Sequence, residues 1–137
     1  MMPEQIIEPG TLAARGDRVR LSVRMPWYRA LPLSSVADVR WMVDGAQVPR
    51  DSITWTVDGR SHRLDDLPAR HDLWWYVLDS AELEGDLPAL DDRAEHRVSV
   101  TLSLYIPYIT TDLGVLRIEE KDAKTMPLTV TRKGRSA

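Results

Sequence analysis

The sequence contains no cysteine and no phenylalanine. Without cysteine the chain can form no disulfide, present no thiolate nucleophile and build no cysteine-ligated zinc site. Strong charge of either sign is missing too. Its 18 basic and 21 acidic side chains leave a net charge of −3, which lays down no footprint for nucleic acid or anionic lipid. No apolar run is long: the strongest, residues 73–78 (LWWYVL), falls far short of the ~20 residues that cross a bilayer. The N-terminal MMPEQIIEPG carries acids and prolines where a secretory signal has basic residues and then an apolar stretch. These absences predict a cytoplasmic protein with no nucleic-acid partner and no membrane contact. The chain also lacks the Gly-x-Ser-x-Gly elbow, the phosphate-binding glycine loop and Gly-x-Gly-x-x-Gly.

Regular helix is scarce as well. No long stretch places apolar residues at i, i+3, i+4 and i+7, and nine prolines interrupt most windows that could hold a helix. What the sequence has instead is period-two alternation. In residues 18–25, Val19, Leu21, Val23 and Met25 oppose Arg18, Arg20, Ser22 and Arg24, and in residues 97–106, Val98, Val100, Leu102, Leu104 and Ile106 oppose polar neighbours. Asp44-Gly45 and Asp58-Gly59 follow the apolar segments 36–43 and 53–57, and Asp-Gly reverses strands because both residues tolerate positive φ. Residues 73–78, apolar throughout, predict a central strand covered on both faces or one at an interface. Further strands are expected at 115–118 and 128–131, with a polar loop over 88–95 and a turn at Arg15-Gly16-Asp17. The expected fold is all-β: one antiparallel β-sandwich domain over residues 1–137, with roughly seven to nine strands, little helix and a frayed tail at 132–137.

The search for chemistry returns little. His62, His71 and His96 share no metal-ligand spacing, so no metal is assigned to this chain. Asp65-Asp66 and Asp91-Asp92 are neighbours in turns, whereas glycosidic carboxyl pairs face each other ~5–10 Å apart across a substrate. His71-Asp72 forms half of an acid–base pair only if two adjacent side chains can converge, which a strand prevents. No catalytic residue is assigned. Five tryptophans and four tyrosines stand out, bunched as Trp74-Trp75-Tyr76 and as Trp27-Tyr28. Such residues combine a large apolar face with a polar handle and are enriched where surfaces become buried on association. Adjacent Trp74 and Trp75 point to opposite faces, so one of them leaves the core unless the strand is covered on both sides. Residues 25–33 (MPWYRALPL) cannot form a regular ladder because Pro26 and Pro32 lack amide donors. We expect a stiff loop that presents Trp27, Tyr28 and Arg29.

In the order of its elements the chain resembles the small β subunits of the bacterial C-glycoside deglycosidases. The resemblance rests on VRMPWYRALPLSSVADVRWMVDG, ITWTVDGRSHRLDDL, the WW pair and EHRVSVTLSLYIPYI, and it covers roughly residues 5–110. It implies an accessory β-sandwich that stabilises and shapes a larger catalytic α subunit of the sugar-phosphate isomerase/epimerase barrel type, in a hetero-oligomer of αβ units. The family reaction is a lyase step in C-glycoside catabolism: it breaks the C–C bond between aglycone and sugar in 3-oxo-C-glycosides such as those of flavonoids, by enolate formation and elimination. On this resemblance a divalent metal, Mn or Mg, belongs to the α subunit, with no cofactor in this chain. Trp27, Tyr28, Arg29, Trp74, Trp75, Tyr105, Pro107 and Tyr108 are then expected at the partner interface or the rim of the partner's active site. The stretch 86–95 is more acidic than the family pattern, which has a glycine-containing turn there. Two other readings compete: a stand-alone carbohydrate-binding module using exposed Trp, and a hydrolase built on His71.

Overall fold

The computed structural model describes residues 6–25, 29–57, 59–76, 79–88, 90 and 94–130. Its strands are β1 (Ala13–Arg15), β2 (Arg18–Val23), β3 (Leu31–Pro32), β4 (Val36–Val43), β5 (Ala46–Gln47), β6 (Thr54–Val57), β7 (Arg60–Arg63), β8 (Trp74–Trp75), β9 (Ala81–Asp86), β10 (Glu95–Thr111), β11 (Gly114–Pro127) and β12 (Thr129–Val130). A six-stranded sheet runs β12-β1-β2-β9-β6-β7, a four-stranded sheet runs β11-β10-β4-β5, and β3 pairs with β8 in a small ribbon. All pairings are antiparallel except β1 with β12. The all-β antiparallel sandwich expected from alternation is therefore the fold. Strands outnumber the expected seven to nine because β3, β5, β8 and β12 are two-residue pieces. Among the described residues helix is confined to short 3-10 segments at Leu33–Ser35, Arg50–Ser52 and Leu64–Ala69.

One core lies between the sheets, and alternation explains its membership. Val19, Leu21 and Val23 of β2, Leu83 of β9 and Trp55 of β6 meet Val39, Trp41 and Val43 of β4 and Val98, Val100 and Leu102 of β10. The polar residues of the same strands face out, where Arg18 pairs with Glu84 (3.2 Å) and Asp86 (2.7 Å) and Arg20 with Glu82 (2.8 Å). These pairs are solvated and each contributes at most ~1 kcal/mol. Burial sets the fold; the ion pairs decorate it.

Both expected Asp-Gly turns lie at hairpins. Asp44 (φ 52°) and Gly45 (φ 83°) join β4 to β5 with both residues in the left-handed region, and Gly59 joins β6 to β7, while Asp58 lies outside the described residues. The Arg15-Gly16-Asp17 segment is the turn between β1 and β2, as anticipated. The final strand contains Thr129 and Val130; the expected tail at 132–137, like Asp91-Asp92 of the acidic loop, lies outside the described residues.

Three expectations are corrected. The central strand expected at 73–78 is not seen among its described residues 73–76: there only Trp74–Trp75 pair, and with the two-residue β3, because the segment packs one tryptophan inward and turns the other out, while Val77 and Leu78 lie outside the described residues. Strand β10 overruns the expected 97–106 to reach Thr111, and Pro107 does not stop it because the ladder with β11 breaks register between Ile106 and Thr110, where a missing amide is tolerated. Strand β9 went unread because AELEGD alternates acids with the small residues Ala81 and Gly85 around Leu83. Gly85 is small for a reason: a Cβ there would lie 2.4 Å from Cγ1 of Val48. Gly85→Ala should destabilise the chain by about 1–3 kcal/mol through overpacking, read as a lower urea midpoint. An unchanged midpoint would show that Val48 yields freely.

The open side of the sandwich is closed by both chain ends. Ile7 bridges to Val23 of β2, and its amide donates to the Asp122 carboxylate of β11 at 2.9 Å, so the N-terminal segment spans the two sheets. Asp122 is buried and also accepts from Lys124 Nζ at 2.5 Å, which satisfies a charge that burial alone would penalise. Beyond Pro127 the chain leaves the four-stranded sheet, buries Leu128 and joins the other sheet as β12.

Candidate docking surface

One end of the sandwich gathers the aromatic residues. Strand β4 accompanies β10 only as far as Leu104, which pairs with Val36; beyond that β10 and β11 continue alone to the Thr111–Gly114 pair. At ~3.3 Å per residue this ribbon extends roughly 20 Å past the three-stranded part of the sheet. A two-stranded ribbon with no third strand gains little stability from itself. It nevertheless exposes Tyr105, Tyr108, Leu113 and Val115, four of the six exposed large hydrophobic side chains among the described residues, with Leu113 at its tip 99% exposed. The other two, Trp74 and Tyr76, flank the β6–β7 turn at the same end. Single exposed apolar residues are ordinary; this many at one end of a domain mark an interaction surface.

The structure brings together two groups that sequence placed far apart. The Arg29 guanidinium lies over the Tyr108 ring at 4.7 Å, so the loop after β2 lies against the far end of β10. Arg117 lies over Tyr105 at 5.7 Å on the same ribbon. Both are cation–π distances, and they hold exposed rings in place before any partner arrives. Pro107 is exposed between the two tyrosines. Trp27 and Tyr28 lie outside the described residues.

The adjacent tryptophans divide their roles. Trp75 is fully buried, edge-on to Trp55 with centroids 5.0 Å apart and planes at 83°, and its indole N–H donates to the Asp79 carbonyl at 2.8 Å. It therefore leaves the set of surface candidates and belongs to the core. Trp74, its neighbour, is turned outward beside a hollow of about 140 Å³ lined by Val57, Arg60, Asp72, Leu73 and Tyr76. That is below the ~300 Å³ at which small-molecule pockets begin. Leu113 and Val115 were missed in the sequence, and Tyr76 was noted there as part of the aromatic bunch but not assigned to the surface. The signal for Leu113 was a large apolar residue inside a turn before glycine, where nothing in the chain could cover it.

The remaining chemistry is structural. His96 is buried, and its Nδ1 lies 2.5 Å from the Asp44 carboxylate, whose other oxygen accepts the Arg97 amide. The His96 hydrogen bond, then that amide, hold the Asp44 carboxyl below its usual range, and together they pin the β4–β5 turn against the start of β10. Asp65 is paired with Arg50, and Asp72 with Arg70, while His71 is exposed. No three His, Asp or Glu residues cluster at metal-holding separation among the described residues. None of the described helices is long and apolar enough to cross a membrane.

These features define a class: a β-sandwich with a rigid aromatic end and its ionisable groups engaged in holding turns and edges. Comparison with known proteins narrows it. The C-glycoside deglycosidase beta subunit family matches residues 14–108, and the chain belongs to that family. It is 52% identical over 126 residues to a C-glycoside deglycosidase beta subunit of Arthrobacter globiformis, covering 92% of this chain and 96% of the relative. A C-glycoside deglycosidase beta subunit of Microbacterium trichothecenolyticum is 47% identical over 127 residues, with 92% and 96% covered. A 3'-dehydrocarminate deglycosidase beta subunit of a Microbacterium species is 35% identical over 127 residues, with 92% and 95% covered.

Proposed function

We propose that this chain is the accessory β subunit of a heteromeric C-glycoside deglycosidase, a cytoplasmic lyase, and that it docks on its catalytic α subunit through the aromatic end. The observation that carries this reading is the projecting ribbon, with Tyr105, Tyr108, Leu113 and Val115 exposed on an element that gains little from its own fold. Near end-to-end similarity to named β subunits supports it. In this reading the α subunit is a barrel of the sugar-phosphate isomerase/epimerase type and holds the acid–base residues. A base there removes the C2 proton made acidic by the 3-keto group of a 3-oxo-C-glycoside. The enolate's electron pair then forms the C1–C2 double bond as the C–C bond to the aglycone breaks, and the aglycone ring carbon takes a proton. No residue of this chain is assigned to a metal; a divalent ion held by the partner, manganese or magnesium, would supply Lewis-acid stabilisation of the enolate. This chain shapes and stabilises that site from its rim, with Arg29, Trp74, Tyr105, Pro107 and Tyr108 as contacts.

A stand-alone saccharide module using Trp74 is the weaker reading, since the hollow beside it, about 140 Å³, is below the ~300 Å³ at which small-molecule pockets begin. The test is co-expression with a barrel-type protein encoded beside it, followed by purification and assay on a 3-oxo-C-glucoside. The complex should release aglycone while the chain alone does not. Cleavage by the lone chain, or failure of any barrel protein to co-purify, overturns the proposal.

A further inference from the structure

Strand β11 is the outer strand of the four-stranded sheet, and among the described residues nothing pairs with its outer side. Its free N–H and C=O groups are a template for another strand unless side chains block them. Blocking is uneven along its length. The residues of β11 that share the inner face are fixed by the ladder: Leu116 opposite Ile106, Ile118 opposite Leu104, Glu120 opposite Leu102, Asp122 opposite Val100 and Lys124 opposite Val98. Beyond Glu120 that face carries Asp122, which is buried, and Lys124, inward-pointing charges of the kind that prevent edge pairing. Ile7 is hydrogen-bonded to Asp122 there as well. Toward the tip the inner face is Leu116 and Ile118, with no charge, and the edge is open.

The occupant that fits this open stretch is a second copy of the same strand. In antiparallel pairing, directly opposite residues share a face, so a two-fold axis through one residue sets every other pair. An axis at Arg117, Glu119, Glu120, Lys121 or Asp122 sets a charge against itself. An axis at Leu116 engages few residues before the turn and leaves Arg117 facing Val115. An axis at Ile118 pairs residues 115–121: Ile118 on Ile118, with Arg117 opposite Glu119, Leu116 opposite Glu120 and Val115 opposite Lys121 each occurring twice, and the ladder ends before Asp122. Among the described residues Arg117 lies over the Tyr105 ring without an ion pair and Glu119 accepts the Ser103 hydroxyl, so neither charge is neutralised within the chain. Opposite charges in facing positions stabilise a sheet and like charges destabilise it.

We propose that two copies of this chain join through β11, antiparallel about a two-fold axis at Ile118, so that two four-stranded sheets become one continuous sheet. The proposal concerns the lone chain and does not depend on the identity of any other subunit. It is tested by sedimentation velocity of the full chain over a concentration series. The wild type should form dimers. Glu119→Arg should weaken the dimer by about tenfold or more, because both Arg117–Glu119 contacts turn repulsive. The double exchange Arg117→Glu with Glu119→Arg restores complementarity and should restore the dimer, an outcome that misfolding cannot imitate. A monomeric wild type overturns the proposal. So does a dimer indifferent to Glu119→Arg, or one that the double exchange fails to recover.

Discussion

Trp75→Ala is expected to destabilise the chain by about 3–5 kcal/mol. The side chain is wholly inside the core, edge-on to Trp55, and its indole N–H is spent on the Asp79 carbonyl. Removing it leaves a cavity beside Trp55 and also breaks the hydrogen bond to the Asp79 carbonyl, and both losses act in the same direction. It also frees the two-residue β3–β8 ribbon, whose register is Leu31 with Trp75 and Pro32 with Trp74. Urea unfolding followed by circular dichroism measures the difference. Trp74→Ala is the control, because an exposed side chain should change stability by no more than about 0.5 kcal/mol. If the two variants unfolded alike, the division of roles between the adjacent tryptophans would be wrong.

Tyr108→Ala is expected to weaken docking on the α subunit by about 30-fold, equivalent to roughly 2 kcal/mol, while leaving the isolated chain folded. Tyr108 is exposed on the ribbon and already stacked under Arg29, so little ordering remains to be done when a partner closes over it. Arg29→Ala should act in the same direction more weakly by leaving the ring unsupported. Titration calorimetry against the purified α subunit reads both. Affinity unchanged in Tyr108→Ala and also in Leu113→Asp would remove the ribbon from the interface and move the docking surface elsewhere.

Much of this architecture could be read before any coordinates, and the reasons differ by element. Strands β2 and β10 alternate large apolar and polar residues, so period two identified them and their inward faces, while β4 was legible only as the apolar segment before Asp44-Gly45. Strand β9 is as regular, but its inward positions hold Ala81 and Gly85, which contribute little to any hydrophobic pattern. Gly85 is small because Val48 lies over it, a tertiary fact that local pattern cannot contain. The apolar run at 73–78 misled for the opposite reason: hydrophobicity without alternation does not say whether a segment is covered on both faces or divided between core and surface. For the candidate surface, sequence could name Arg29, Tyr105 and Tyr108 as residue types. Only the structure could bring the loop and the ribbon within 4.7 Å.

The bond between Ile7 and Asp122 joins residues 115 positions apart. Together with the β1–β12 pair, it means that the sandwich closes with chain from both of its ends. Loop closure of that length is entropically expensive and slow, and no part of it can begin during synthesis until β11 has left the ribosome. Up to that moment the nascent chain carries a half-closed core. The order of synthesis therefore makes the ribbon and the seal the last parts to form.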